Sequence, residues 1–159
     1  MALISVQIRG SAELNRLISR IQQEGRNLST IHNLMATEGQ KWVFDNFTQD
    51  GKLATNGAGW RPLSPVTIAK RRKGKGRGSV KILRDTGIMR AGVNKRADAS
   101  RAVVGFGGQH GLLSYFHHAG AGVPRRPLLP TEEQIMPNLV ARLTAYLRAV
   151  IKGAGGHVH

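Results

Sequence analysis

A basic stretch that glycines interrupt lies in the middle of the chain, at residues 60–90, and limits which secondary structure can form there. Near its start, Ser64 is followed by Pro65, a pair typical of a helix N-terminus. The serine side chain can accept a hydrogen bond from a free backbone N–H, and proline at the first helical position has no N–H to leave unpaired. We therefore predict a helix of about two turns from Pro65 towards Arg72, which the following glycines end.

Lysines and arginines are concentrated at the end of this predicted helix and among those glycines. Such a composition can form a phosphate-binding loop, but the pattern G-x-x-x-x-G-K-[ST] is absent and no strong strand precedes the stretch. We therefore predict a flexible, positively charged loop that contacts DNA or an acidic protein partner. Its predicted contact residues are Lys70, Arg71, Arg72, Lys73, Lys75 and Arg77.

Length and composition limit the class of protein. With 159 residues the chain is long enough for a single domain with a core, and without cysteine it can form neither disulfides nor thiolate metal sites. No apolar run approaches the roughly 18 residues of a membrane span. The first residues lack the basic and apolar regions of a signal peptide, so we expect synthesis in the cytosol and no membrane contact.

Net charge is the strongest bulk property of the chain. The 24 lysines and arginines against 9 acidic residues give a net charge of +15. A field of this sign attracts phosphates, nucleic acid or acidic protein surfaces, and its contribution to DNA affinity falls steeply with salt. Charge alone does not distinguish a nucleic acid from an acidic protein partner.

Apolar periodicity predicts the elements of the fold. Alternation at residues 3–9 indicates a half-buried strand, and apolar residues at i, i+3, i+4 and i+7 from Leu14 indicate a helix that Ser11 caps. Thr131 and Gln134 form a capping box at the start of a C-terminal helix. Further predicted elements are a helix at 28–47, a loop at 50–59, a hairpin with strands at 92–95 and 101–106, a short helix at 112–118 and an extended segment at 124–130.

These elements predict an α+β fold with a small antiparallel sheet flanked by N-terminal and C-terminal helices. We expect one domain over residues 1–152 and a flexible tail over 153–159. Aromatic residues on the apolar faces serve as structural anchors in this interpretation. The predicted anchors are Trp42, Phe44, Trp60 and Phe106.

The sequence contains no pattern typical of a catalytic or metal site. His117 and His118 are adjacent in one predicted helix and point in different directions, which is poor geometry for one metal. The HExxH and G-x-S-x-G patterns are absent, and the acidic residues are scattered. We therefore expect no enzymatic activity, no metal and no cofactor.

An ordered set of segments resembles the phage virion morphogenesis family, the tail-completion family that includes the G protein of phage Mu and the S protein of phage P2. The first is WRPLSP at 60–65, with Thr67 and Lys70. The others are ILRDTG at 82–87 followed by MR at 89–90, VGF at 104–106, residues 115–120 and PRRPLLP at 124–130. No single motif decides the resemblance, but the ordered set is specific and covers most of residues 44–130.

The resemblance implies a structural virion protein of the phage neck or tail end, in tail completion or head–tail joining, with a fold like that of head–tail connector proteins. It implies a ring, expected to be a homo-hexamer, around the channel through which genomic DNA passes. Partners would be the tail tube or tail terminator protein and the head connector or adaptor proteins. The arm predicted to pack on a neighbouring subunit is Pro124, Arg125, Arg126, Pro127, Leu128, Leu129 and Pro130.

Two other functions remain open from the residues. A basic nucleic-acid-binding protein acting outside the neck would explain the charge, although the sequence has no recognisable helix-turn-helix or base-stacking aromatic set. An enzyme such as a nuclease or lysin would need clustered acidic residues, which the sequence does not show.

Overall fold

The computed structural model describes residues 4–7, 12–23, 27–75 and 80–155. Its helices and strands follow the predicted order. They are β1 (Ile4–Gln7), α1 (Ala12–Gln23), α2 (Leu28–Thr48), α3 (Pro65–Lys70), α4 (Ile88–Ala91), β2 (Val93–Ala97), β3 (Ala102–Phe106), α5 (Gly111–Ala119) and α6 (Glu132–Gly155). A π-helical turn, Arg71–Lys75, continues α3, and a 3-10 turn, Gly108–His110, precedes α5.

The strands form a three-stranded antiparallel sheet in the order β1-β3-β2. The predicted hairpin is β2 and β3, and β1 pairs with the other edge of β3, so that Phe106 lies opposite both Ile4 and Val93. Strand β3 is the central strand. Buried and exposed residues do not alternate along it, because Val104, Gly105 and Phe106 are all buried. The prediction of an α+β fold with a small antiparallel sheet is confirmed.

Helix α2 is the centre of the packing, because it contacts the sheet on one side and α6 on the other, and α1 packs against α6 as well. The apolar stripes that predicted α1 and α6 face this core: Leu14 and Ile21 are buried, as are Leu139 and Leu143. Burial of these stripes, rather than helix propensity alone, stabilises the helices.

Local signals set the ends of the predicted helices. The Ser64 side chain accepts a hydrogen bond from the backbone N–H of Thr67, and Pro65 is the first helical residue, as predicted. The capping box is also present, since the Thr131 N–H donates to Gln134 Oε1 and the Gln134 N–H donates to Thr131 Oγ1. Helix α6 continues to Gly155, so the boundary predicted for the tail is corrected; residues 156–159 lie outside the described part.

Three of the four predicted aromatic anchors are buried, namely Trp42, Trp60 and Phe106. Phe44 is only partly buried, and the guanidinium of Arg90 lies 5.2 Å from the centre of its ring. A further aromatic anchor is Phe47, which is fully buried and contacts both Trp60 and Phe106. It lies on the face of α2 turned to the core, three residues beyond Phe44.

Candidate functional site

The backbone carbonyl of Pro127 links the start of the 60–65 segment to the 124–130 segment. The indole Nε1–H of Trp60 donates to the carbonyl oxygen of Pro127 at 2.8 Å, and Nδ2 of Asn46 donates to the same oxygen at 3.2 Å. The Oδ1 atom of Asn46 accepts from the backbone N–H of Ala54 at 3.1 Å. Buried polar groups cost stability unless they are paired, and both lone pairs of this carbonyl have donors.

The indole of Trp60 also packs tightly. Its ring meets Phe47 edge to face, with 5.4 Å between centroids and 80° between planes. It also contacts Gly51, whose φ of 85° lies in the left-handed region. A Cβ at this glycine would overlap the indole ring, so the position combines a backbone turn with a close approach that only glycine allows.

A side chain of helix α5 also forms a hydrogen bond with the 124–130 segment. The backbone N–H of Leu128 donates to Nδ1 of His118 at 3.0 Å. That nitrogen must therefore carry a lone pair, which makes the imidazole neutral with its proton on Nε2. Burial, and then the charge of Arg125, lowers the pKa of His118 below its ordinary value of 6.5.

Arg61 and Arg126, the sequence neighbours of Trp60 and Pro127, do not lie in this core contact. They line a cleft of about 610 Å³. The cleft lies between the start of α3 and the chain after α5, and its guanidinium groups come from Arg61, Arg71 and Arg126. Its apolar walls are Pro62, Leu63, Pro65, Leu83, Val123 and Pro124. Among the described lining residues there is no acidic side chain.

Arg126 is the buried member of this cleft, at 5% exposure. Its Nη2 donates to the carbonyl oxygen of Arg61 at 3.2 Å, and its Nη1 lies 3.4 Å from Nδ1 of His117. Its Nε has no hydrogen-bond partner among the residues that the structure describes. Burial, followed by the charges of Arg61 and Arg71, lowers the pKa of Arg126, so its cationic form is held against desolvation and like-charge repulsion.

The two neighbouring histidines, His117 and His118, therefore contact different partners. His118 accepts from the backbone of the buried segment, whereas His117 faces Arg126. Burial, and then the charge of Arg126, lowers the pKa of His117. The prediction that the pair would point apart agrees with these separate partners, and no metal-binding cluster occurs in the described part of the chain.

The predicted helix from Pro65 towards Arg72 is present, and the chain stays helical to Lys75, which corrects the prediction of a loop directly after Arg72. Lys70 ends α3, and the π-helical turn contains Arg71, Arg72, Lys73 and Lys75. The first glycine, Gly74, lies within this turn and does not end it. Arg77 lies outside the described residues.

These basic residues also differ from one another. Lys70, Arg72 and Lys73 are exposed to solvent. Arg71 is largely covered: its Nη1 donates to the carbonyl oxygen of Lys81 at 3.0 Å, and its Nε lies 3.7 Å from Oδ1 of Asp85. Arg71 therefore ties the helical turn to the chain that follows, while the other three side chains form an exposed basic surface.

The predicted inter-subunit arm is mostly part of this chain's own core. Arg126, Leu128, Leu129 and Pro130 are buried by the same chain, and Pro127 is half-buried. This burial corrects the expectation that the whole segment packs on a neighbouring subunit, because apolar side chains such as Leu128 are already removed from water. Only Pro124 and Arg125 of the segment are exposed.

Sequence reasoning missed Asn46, Arg61 and His118 as partners of this region. No spacing signal links them, since Asn46 and Pro127 are 81 positions apart and Arg61 and Arg126 are 65 apart. The available signals were indirect: an asparagine on the buried face of a helix needs polar partners, and so does an arginine, Arg126, that is followed by a proline and two leucines.

A family comparison covers this whole region. The model of the phage virion morphogenesis family matches residues 11–148. The chain belongs to this family. No curated protein and no solved structure matches the chain. The family match includes the basic turn, the arginine-lined cleft and most of α6.

Membership of the phage virion morphogenesis family gives the protein a structural or assembly role in a phage, and places it in the virion. It points to a structural rather than a catalytic role. Among the described helices, none is long and apolar enough to span a membrane.

Proposed function

We propose that this protein is a structural component of the phage neck or tail end, acting in tail completion or head–tail joining. Several copies, six by analogy with the symmetry of the tail, would form a ring around the DNA channel. The family match over residues 11–148 is the observation that carries this proposal. The partners would be the tail tube or tail terminator protein on one side and head connector or adaptor proteins on the other.

An exposed apolar face on α5 supports assembly from copies of this chain. Its side chains are 37% to 51% exposed, and they are neighbours at helical spacing. They are Leu112, Leu113, Tyr115 and Phe116. Contiguous apolar patches on soluble proteins mark interaction sites, because leaving them in water is unfavourable. A second copy of the chain is the occupant that a ring would supply.

The charge distribution supports a place beside DNA or an acidic ring. The net charge of the chain is +15, and Lys70, Arg72 and Lys73 present part of it on one exposed helical surface. Such a surface attracts a phosphate backbone electrostatically without reading its sequence. A lumen-facing position for this surface is therefore part of the proposal.

Solution mass by light scattering tests the ring, first on the protein alone and then with the tail tube or connector protein of its phage. A ring-sized mass is expected in at least one of these conditions, and Leu112→Asp should reduce it to the monomer. Val66→Asp is the matched control, because Val66 is also an exposed apolar residue but lies on α3. A monomeric mass in every condition would contradict ring assembly.

The alternative is a basic nucleic-acid-binding protein acting outside the neck, which the charge of +15 favours. It predicts DNA binding by the monomer that weakens steeply with salt and is unaffected by Leu112→Asp. Replacing Lys70, Arg72 and Lys73 by serine should then lower DNA affinity and the salt dependence together. Fluorescence anisotropy with a labelled duplex measures both quantities.

A further inference from the structure

The arginine-lined cleft carries positive charge that its own lining does not neutralise. Arg61, Arg71 and Arg126 contribute guanidinium groups, and no acidic residue occurs in the lining that the structure describes. Asp85 lies beside Arg71, with 3.7 Å between Oδ1 and Nε, but it is not part of the cleft wall. Arg71 therefore has an acidic partner behind the cleft wall, whereas Arg61 and Arg126 face the cleft with no acidic residue in its described lining.

Arg126 makes this arrangement costly for the isolated chain. A guanidinium at 5% exposure has lost most of its hydration, and its Nε–H finds no acceptor in the described residues. Leaving a buried donor unpaired costs free energy, and unlike a neutral donor this one belongs to a charge that its neighbours repel. An anion in the cleft would offset the lost hydration, the unpaired Nε–H donor and the repulsion between the arginines together.

The walls of the cleft indicate what kind of molecule carries that anion. Apolar side chains border the guanidinium groups, among them Pro62 and Leu63 on one side and Val123 and Pro124 on the other. A DNA backbone offers phosphates but no apolar group of this size beside each charge. A peptide offers both, since an acidic side chain or a C-terminal carboxylate has apolar neighbours in the same chain.

We propose that the cleft binds a carboxylate-bearing peptide segment of a partner protein. The carboxylate would lie against the guanidinium groups of Arg61 and Arg126, in the paired hydrogen-bond geometry that guanidinium and carboxylate favour. An adjacent apolar side chain of the partner would pack against the proline-rich walls. This proposal concerns the chemistry of the ligand, and it does not depend on ring assembly or on the position of the protein in the virion.

The smallest probe with both features is N-acetyl-leucine, and N-acetyl-leucinamide is its control without the carboxylate. Titration of the full chain is followed by the arginine side-chain Nε–Hε signals in ¹H–¹⁵N NMR spectra. We expect a saturable shift of the Arg126 signal with N-acetyl-leucine and none with the amide. Equal shifts with both compounds, or no shift with either, would overturn the proposal.

A matched pair of variants locates the site. Arg61→Gln removes a guanidinium at an exposed position but keeps the backbone carbonyl that accepts from Arg126, so the backbone NMR spectrum should be retained. It should weaken N-acetyl-leucine binding by about tenfold, which corresponds to about 1.4 kcal/mol. Arg125→Gln makes the same change in charge next to the cleft, outside its described lining, and should leave the affinity unchanged.

Two further ligands decide between peptide and nucleic acid. Inorganic phosphate and a short single-stranded DNA oligonucleotide are titrated under the same conditions. If either shifts the Arg126 signal at lower concentration than N-acetyl-leucine does, the cleft is a phosphate site and the peptide proposal is wrong. If Arg61→Gln and Arg125→Gln weaken N-acetyl-leucine binding equally, binding follows net charge and the cleft is not the site.

Discussion

Trp60 and Arg61 are neighbours in the sequence, as are Pro127 and Arg126, yet the two pairs form opposite kinds of contact. Trp60 and Pro127 meet in the core through a hydrogen bond whose acceptor has a second donor in Asn46. Arg61 and Arg126 meet at the cleft, where like charges face one another and Nε of Arg126 has no partner among the described residues. The same two segments thus build an interior contact and a cationic surface site.

The Trp60–Pro127 contact stabilises the fold, whereas the neighbouring Arg61–Arg126 contact is suited to binding an anion. A fully paired, close-packed contact is already near its lowest free energy, so it holds the segments in place but offers nothing to a ligand. An incompletely paired charged site stabilises the isolated chain less and gains free energy when an anion arrives. Substitutions on the two sides should therefore affect different measurements.

The largest effect is expected from Trp60→Ala on the interior side. Removing a buried indole leaves a cavity against Phe47 and an acceptor at Pro127 with one donor fewer, which should destabilise the fold by about 3–5 kcal/mol. Denaturant unfolding followed by circular dichroism measures this loss. Trp60→Phe, which keeps most of the ring but not the N–H, should cost about 1–2 kcal/mol. An unchanged midpoint for Trp60→Ala would show that the indole is not part of the core.

Asn46→Ala should have the next largest effect. The side chain is fully buried, and its loss leaves the Ala54 N–H without its acceptor and takes one donor from the Pro127 carbonyl. We expect a loss of about 1–3 kcal/mol, measured by the same unfolding experiment. Asn33→Ala, at an exposed position of the same helix, is the control and should stay within about 0.5 kcal/mol. Equal effects of the two substitutions would contradict a special role for Asn46.

Acidification should weaken the interior contact that His118 makes. Its pKa in the folded chain lies below 6.5, so between the two pKa values the unfolded chain binds more protons than the folded chain. This contribution is full above pH 6.5 and is lost as the pH falls through the folded-state pKa. Unfolding midpoints at several pH values between 7.5 and 5 should therefore decrease with acidity.

Substitutions of the two adjacent histidines divide this pH dependence between the core and the cleft. His118→Asn keeps an acceptor for the Leu128 N–H but does not titrate, so the decrease should become smaller. His117→Asn should remove only the part of the pH dependence of stability that comes from His117, which lies beside Arg126. If neither substitution changes the pH dependence, the acid sensitivity comes from other groups.

The smallest effect is expected on the exposed basic surface. Replacing Lys70, Arg72 and Lys73 together by serine should change the free energy of unfolding by no more than about 0.5 kcal/mol, because these side chains are solvated. Arg71→Ser should cost about 1 kcal/mol, since it removes the hydrogen bond to Lys81. A larger loss in the triple variant than in Arg71→Ser would reverse this distinction within the basic turn.

Local signals in the sequence were sufficient for most of the fold. The serine-proline start of α3, the capping box of α6 and the strands of the hairpin all depend on residues a few positions apart, and all were predicted. The ends of elements near glycines were less certain, because Gly74 lies inside the helical turn and Gly153 inside α6. A glycine weakens a helix, but packing around it decides whether the helix ends there.

The sequence by itself determined the order of elements, the α+β class and the positive charge, because periodicity, capping and composition are properties of neighbouring residues. Only the tertiary structure decided that the 124–130 segment is interior, that Asn46 and Trp60 share one acceptor and that Arg61, Arg71 and Arg126 face one cleft. The reason is physical: these contacts join residues dozens of positions apart, and long-range packing selects them from many alternatives that the local pattern allows equally well.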